Sequence, residues 1–404
     1  MRVCMLAYSF YESDTRIRQY SMALANRGDT VDVIALKREG QSDHQVLEGV
    51  NVYRIQERQV NERRPLAYLT RIVRFLIRSG IVVARMHRER KYDVVHVHSV
   101  PDFLVFAAVV PKLRGARVIL DIHDILPEFY ASKFKSSRHS LTFKVLILAE
   151  KASIAFSDHT IIANQLWRER LISRSVTAEK CTAIENFPDT KMFRPIQHES
   201  DGNFRIIYPG TLNHHQGVDI ALRAFARIAD EIPESQFDIY GDGPDKRSLI
   251  KLSQDLGLSR RVHFHDFLPT KEIALIMAQA DLAIVPKRAS SGFGTEAAST
   301  KIMEFMAMGV PLVVSRTKID TYYFDDSQVR FFESENESDL AACIVEMQRN
   351  PAARERLSRN GTWYAKNHCW ENKKEIYLQL IDSLIVPNGS RNKNNMPLSS
   401  VSAR

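Results

Sequence analysis

Cysteine is scarce and scattered. Cys4, Cys181, Cys343 and Cys369 are the only four in 404 residues. None stands at metal-ligand spacing from another, which excludes a zinc site and a disulfide scaffold and leaves free thiols in a reducing cytoplasm as the expectation. Long apolar runs are also missing: nothing reaches the roughly 18 uncharged apolar residues that a spanning helix needs. No leader peptide is expected, because residues 1–6 already read as a strand. No Asp-x-Asp pair suited to a divalent cation stands out, so neither a metal nor a cofactor is expected. No nucleic-acid-binding motif accompanies the positive charge, so nucleic acid is not an expected partner.

What is present is a globular composition, 44% apolar and 26% charged, in a chain long enough for two cores. The formal net charge is +8, and the N-terminal half carries all of it: 29 Lys and Arg stand against 20 Asp and Glu through residue 186. Such a bias attracts phosphate-rich partners or merely solubilises a surface, and charge alone does not choose.

Short β-rich runs at 3–7, 31–36, 94–98, 118–122 and 160–163 are each followed by a segment of helical periodicity. The rhythm resumes at 206–209, 237–240, 262–264, 282–285 and 311–314. Alternation of this kind predicts βαβ units and parallel sheets. Prolines and polar residues interrupt it at 187–203, which reads as a linker. The expectation is an α/β chain of two facing, Rossmann-like, doubly wound domains with a cleft between them: 1–186 on the acceptor side and 204–370 binding a nucleotide sugar. A helix at 371–386 is expected to return to the first domain, and a polar tail at 387–404 to be disordered.

Residues 66–90 form a further helix. Leu66, Leu69, Ile72, Val73, Leu76, Ile77 and Ile81 follow one side. Arg71, Arg74, Arg78, Arg85, Arg88 and Arg90 add charge, after Arg63 and Arg64. An anionic membrane surface against 63–90 is one reading; an ordinary helix packed on its sheet is the other.

The chemistry concentrates in Ser291-Gly-Phe-Gly-Thr-Glu-Ala-Ala-Ser-Thr-Lys-Ile-Met-Glu. Gly292, Phe293 and Gly294 make a loop after a buried strand, and Ser299 or Thr300 opens a helix that Gly309 ends. Free N–H groups at such a helix start favour an anion such as diphosphate. Lys301 adds a point charge in the first turn. Glu304 shares its face three residues on and suits a ribose diol. Glu296, in the loop, suits a sugar extending from the phosphates. The alternative is a pair of solvent-facing charges on a Glu- and Lys-bearing helix.

These residues, with the run Lys301-Ile-Met-Glu-Phe-Met-Ala-Met-Gly-Val-Pro, resemble the family-4 retaining glycosyltransferases of the two-domain GT-B architecture. The resemblance covers nearly the whole chain. Glu296 and Glu304 match the family's Glu-x7-Glu signature, which implies that the first contacts the donor sugar and the second the ribose. Tyr208-Pro-Gly-Thr-Leu, with Gly210 and Thr211, matches the donor-domain opening. Tyr240-Gly-Asp-Gly-Pro, with Gly241, matches the glycine turn. Phe267 and Leu268 fall in the base-binding loop. Asp121-Ile-His-Asp looks like the strand-end histidine motif, which implies that His123 holds the sugar. Of His96 and His98, one is expected to be structural.

Three departures matter. Tyr8 to Arg16 replaces the usual glycine pair, so Arg16 and Arg18 are offered for an anionic acceptor or as support for the domain. Thr211 and Gln216 stand where the family carries its diphosphate-binding Arg and Lys. Lys301 remains, with His214, His215, Lys287 or Arg288 as further donors. The resemblance implies a metal-independent hexosyl transfer, UDP-sugar favoured, to a saccharide or lipid-linked acceptor in polysaccharide or glycoconjugate assembly. The expected place is the cytoplasm, or the periphery of the inner membrane face. A silent binding module and a nucleotide-sugar epimerase are the alternatives.

Overall fold

The computed structural model describes residues 1–58, 65–133, 137, 139–196 and 202–385. It divides into two compact units, Met1–Asn186 with the chain from Lys373 onward, and Phe187–Asn372. The tail expected at 387–404, the linker residues 197–201, and Arg63 and Arg64 lie outside the described residues.

The first unit holds β1 (Arg2–Ala7), β2 (Thr30–Lys37), β3 (His44–Leu47), β4 (Val50–Glu57), β5 (Val94–His98), β6 (Arg117–Ile122), β7 (His159–Ile162) and β8 (Cys181–Ala183) in the order β3-β4-β2-β1-β5-β6-β7-β8. Only β3 runs antiparallel. Every residue of β5 is buried, as a parallel strand covered on both faces requires. The strand order reverses between β1 and β5, where crossovers leave the sheet in opposite directions and open a crevice at the carboxyl ends.

The second unit holds β9 (Phe204–Pro209), β10 (Ser235–Tyr240), β11 (Val262–His265), β12 (Leu282–Val285), β13 (Leu312–Ser315) and β14 (Arg330–Phe332), all parallel, in the order β11-β10-β9-β12-β13-β14. Its switch lies between β9 and β12. Successive residues feed opposite faces. Ile206, Tyr208, Leu282 and Ile284 enter one core, and Ile207, Ala283 and Val285 the other. Phe193 belongs to that second core, and Phe187 packs by Trp370, so the stretch read as a linker carries two core anchors. The helix Trp370–Ile385 buries Tyr377 in the first unit, against the Tyr20 ring at 4.2 Å and with its hydroxyl 2.9 Å from His96 Nδ1.

Candidate functional site

In the second unit the ends of β9, β10 and β12 come together. Gly210 and Gly241 both have a φ open to glycine, +140° and +142°. A Cβ on Gly241 would stand 1.9 Å from the Gly210 carbonyl oxygen, so two bare backbones touch here. A Cβ on Gly210 would stand 2.7 Å from Lys301 Nζ. The helix Thr300–Met308 therefore delivers its ammonium to the β9 end, 5.1 Å from the centre of the Tyr208 ring.

Lys301 makes no hydrogen bond or ion pair among the described residues. Burial pulls its ammonium down to about 8, against the pull of Glu304 upward and with Lys287 adding to the fall. Burial pushes Glu304 up to about 7, opposed by Lys301 and by a hydrogen bond from Thr300. A half-buried cation with no ion pair among the described residues, beside a carboxyl raised toward 7, is an arrangement that a bound anion completes. Ser299 leaves the helix start without a side-chain cap. Glu296 is 5% exposed, with a carboxylate oxygen 3.3 Å from Lys318 Nζ. Phe293 is buried with its ring edge-on to His215, and Gly294 N–H donates to Ser291 Oγ. Gly292 and Thr211 are exposed. Beyond β11, Phe267 is 78% exposed and Leu268 half-buried.

The first unit assembles a second group at the ends of β1, β5 and β6. Arg16 forks onto Asp121, Nε and Nη2 donating at 2.8 and 2.7 Å, while Nη1 donates to the carbonyls of Ile184 and Glu185 and to Asn186 Oδ1. Burial alone would raise the Asp121 carboxyl; Arg16 and then His123 overcome it and hold the group well below the usual range. Asp121 Oδ2 lies 3.1 Å from His98 Nδ1 and 3.3 Å from His123 Nε2. Burial keeps His98, and more strongly His96, toward the neutral form. His98, His123, Ser9, Asp14 and Asp124 line a cavity of about 250 Å³, and burial raises the Asp124 carboxyl. His98 Nε2 is buried without a hydrogen-bond partner among the described residues. Although His96, His98 and Asp121 have ligand atoms within 4.8 Å of one another, the Arg16 fork already neutralises the carboxylate, which suits a second cation poorly.

Residues 13–186 match the model of the glycosyl transferase 4-like domain, and residues 189–363 that of the glycosyl transferases group 1. The alpha-monoglucosyldiacylglycerol synthase of Acholeplasma laidlawii is 24% identical over 320 residues, 74% of this chain and 78% of that one. The O-antigen biosynthesis glycosyltransferase WclY of Escherichia coli is 29% identical over 278 residues, 65% and 71% of the two chains. The solved structure of Anabaena Alr3699/HepE with UDP-glucose superposes with a TM-score of 0.71 at 16% identity, covering 95% of this chain and 100% of that one. The chain belongs to the family-4 glycosyltransferases. Its fold is GT-B.

In this glycosyltransferase the local run is brought together and two of the spare cations are not free. Lys287 is buried and spent on Asp320 and the Ala297 carbonyl. Arg288 is held by Asp219, Glu335 and the His214 carbonyl. His215, lowered first by burial and then by Lys301 and Lys287, offers a neutral ring. Thr211 and Gln216, which the resemblance sets at the family's Arg and Lys positions, both accept from Tyr208 OH, Thr211 through its carbonyl and Gln216 through Oε1. Of the two roles offered for Arg16, the structure favours support of the domain, because Nε, Nη1 and Nη2 all donate to groups of the same unit. Arg18 pairs with Glu48 at 3.0 Å. Both His96 and His98 are buried in the network, since residues two apart share a strand face. Sequence reasoning missed Lys318 and Asp124. No local pattern marks Lys318; Asp124 stood in view beside His123 without a role.

Proposed function

We propose that this glycosyltransferase moves a hexosyl group, with retention and without a metal, from a nucleotide-diphosphate sugar to a saccharide or lipid-linked acceptor in surface glycolipid or polysaccharide assembly. The observation that carries it is the half-buried Lys301 ammonium, without a hydrogen bond or ion pair among the described residues, at an uncapped helix start. Such a site neutralises the diphosphate as it leaves, and the charge it meets is largest when the glycosidic bond has broken. Glu304 accepts from the ribose hydroxyls once ionised, and Glu296 from the sugar. Phe267 and Leu268 lie at the end where the base would reach. In the first unit, His123 and His98 offer hydrogen bonds to sugar hydroxyls.

A UDP-sugar is favoured because a neighbour of this fold was solved with UDP-glucose. The acceptor class draws support from relatives named for a diacylglycerol glycoside and for O-antigen. A lipid-linked acceptor places the enzyme at a membrane periphery, and no described helix is long and apolar enough to cross one. A thermal-shift panel of UDP, GDP and ADP with their sugar conjugates tests the donor, because a ligand bound only by the folded state must raise its stability. One nucleotide sugar should stabilise the wild type and leave Lys301→Ala unmoved. Equal stabilisation of both chains, or of neither by any nucleotide, sinks the reading.

A further inference from the structure

Glu296 sits in a loop that starts with two glycines, Gly292 and Gly294, and residues without a Cβ leave a backbone free to wander. Within the loop, Thr295 N–H donates to the Ser291 carbonyl, and the N–H groups of Glu296 and Ala297 both donate to the Phe293 carbonyl. Further support comes from other parts of the chain. Ile319 N–H donates to the Thr295 carbonyl at 2.9 Å, and Lys318 N–H to Thr295 Oγ1 at 3.3 Å. Lys318 Nζ donates to Glu296 Oε1 at 3.3 Å. On the far side, Lys287 Nζ donates to the Ala297 carbonyl at 2.9 Å. Three consecutive residues, 295 to 297, are therefore each gripped from outside the loop.

The grips have a common root. Lys287 follows β12 and is 2% exposed, while Asp320 is 1% exposed and opens the short helix Asp320–Tyr323 after β13. Their charges meet at 2.8 Å. Asp320 Oδ2 also accepts from Thr317 Oγ1 at 2.6 Å, and Thr317 Oγ1 accepts from Asp320 N–H at 3.3 Å. The turn that carries Lys318 is thus closed upon the buried pair. Such a pair is a poor source of stability, because desolvation consumes most of the attraction. What it fixes here is geometry: the ends of two neighbouring strands and the loop between them are held in one arrangement. A carboxylate that serves a reaction needs holding to within about 0.5 Å.

We propose that Lys318 and the buried Lys287–Asp320 pair are positioning residues for Glu296, the pair fixing the turn 317–320 against the glycine loop and Lys318 orienting the carboxylate toward the donor sugar. The inference rests on the reading of Glu296 as the group that meets that sugar, and deepens it by naming what holds the group. Initial rates of nucleoside diphosphate release by the full chain test it, with whichever of UDP-glucose, GDP-mannose and ADP-glucose the wild type turns over fastest. The Lys318 side chain is 60% exposed, so Lys318→Met should keep the thermal midpoint. Its kcat should fall about tenfold or more while the donor KM stays within about threefold, because other groups hold the rest of the donor. Lys318→Arg keeps a cationic donor in reach and should recover most of the loss. In the Glu296→Gln background, Lys318→Met should cost less than about twofold further, since a residue that acts through the Glu296 charge has lost its object. Lys287→Met/Asp320→Leu replaces the buried pair by apolar groups. Its midpoint should hold or rise, while kcat falls about tenfold or more. Glu296→Gln at the wild-type rate would sink the reading of Glu296 itself. With Glu296→Gln impaired, the positioning is overturned if Lys318→Met keeps the wild-type kcat, if its loss is undiminished in the Glu296→Gln background, or if the apolar pair leaves kcat unchanged.

Discussion

Replacing Lys301 by alanine removes a single ammonium from a half-buried site where Lys287 and Arg288 are already paired. With its ammonium at about 8, roughly nine-tenths of the enzyme carries the charge at pH 7. An ammonium about 4 Å from a phosphate oxygen, at an effective dielectric of about 20, gains about 4 kcal/mol. That is close to three decades in rate if the gain falls mainly on the leaving diphosphate, so kcat/KM should drop by about two to three decades. Initial rates of nucleoside diphosphate release measure it. The pH profile adds a second readout. A lysine with a lowered value loses its charge as pH rises, so kcat/KM of the wild type should fall above about 8. It should also rise through about 7, as Glu304 ionises and becomes a pure acceptor for the ribose. Lys301→Arg keeps a charge well above pH 8 and should move the descending limb upward. Activity of the alanine variant within about threefold of wild type, or a limb near 8 that survives in the arginine variant, would refute the argument.

Other perturbations probe the rest of the frame. Gly241→Ala forces a Cβ to 1.9 Å from the Gly210 oxygen at φ +142°; the thermal midpoint should fall by about 5 °C or more and nucleotide-induced stabilisation should vanish, and neither change would mean the two strand ends yield. Asp121→Asn leaves the buried Arg16 without its counter-charge and should cost about 3–5 kcal/mol in urea unfolding; a loss under about 1 kcal/mol would show that the Ile184 and Glu185 carbonyls suffice. Glu296→Gln keeps the shape and removes the charge, so transfer should fall about a hundredfold with an unchanged midpoint, and retained transfer would remove Glu296 from the reaction.

The ten strands read from sequence are those dominated by apolar residues, as doubly covered parallel strands are, with only isolated polar residues such as Asp32, His96 and Asp121 among them. The four missed have physical reasons. In β4 the inward face carries Val50 and Val52 but also Arg54 and Gln56, so its alternation in burial is not one of hydropathy. Arg54 is tolerated there because Glu12 and the Ser42 carbonyl receive it. Strands β8 and β14 have three residues each, too few for a period, and β3 is an exposed edge. At the site, Lys301 and Glu304 were legible because one helical turn joins them. Arg16 and Asp121 are 105 residues apart, and Lys318 reaches Glu296 from 22 residues away; such pairings are made by topology and leave no local trace. For the same reason Lys287 and Arg288 read as free donors until Asp320, Asp219 and Glu335 were seen beside them.

Tyr377, packed on Tyr20 and bonded to His96, has a consequence for how the molecule is made. The first unit is not one continuous stretch of chain. A ribosome that has released residue 186 has supplied all eight strands of that sheet but not the ring that covers His96. The whole second unit must be synthesised before it arrives. Until then the buried histidines and Tyr20 lie open to water, and the N-terminal half waits in an unfinished state. A fragment cut at residue 186 would keep that state permanently, so any attempt to study the first unit alone must carry the helix Trp370–Ile385 along with it.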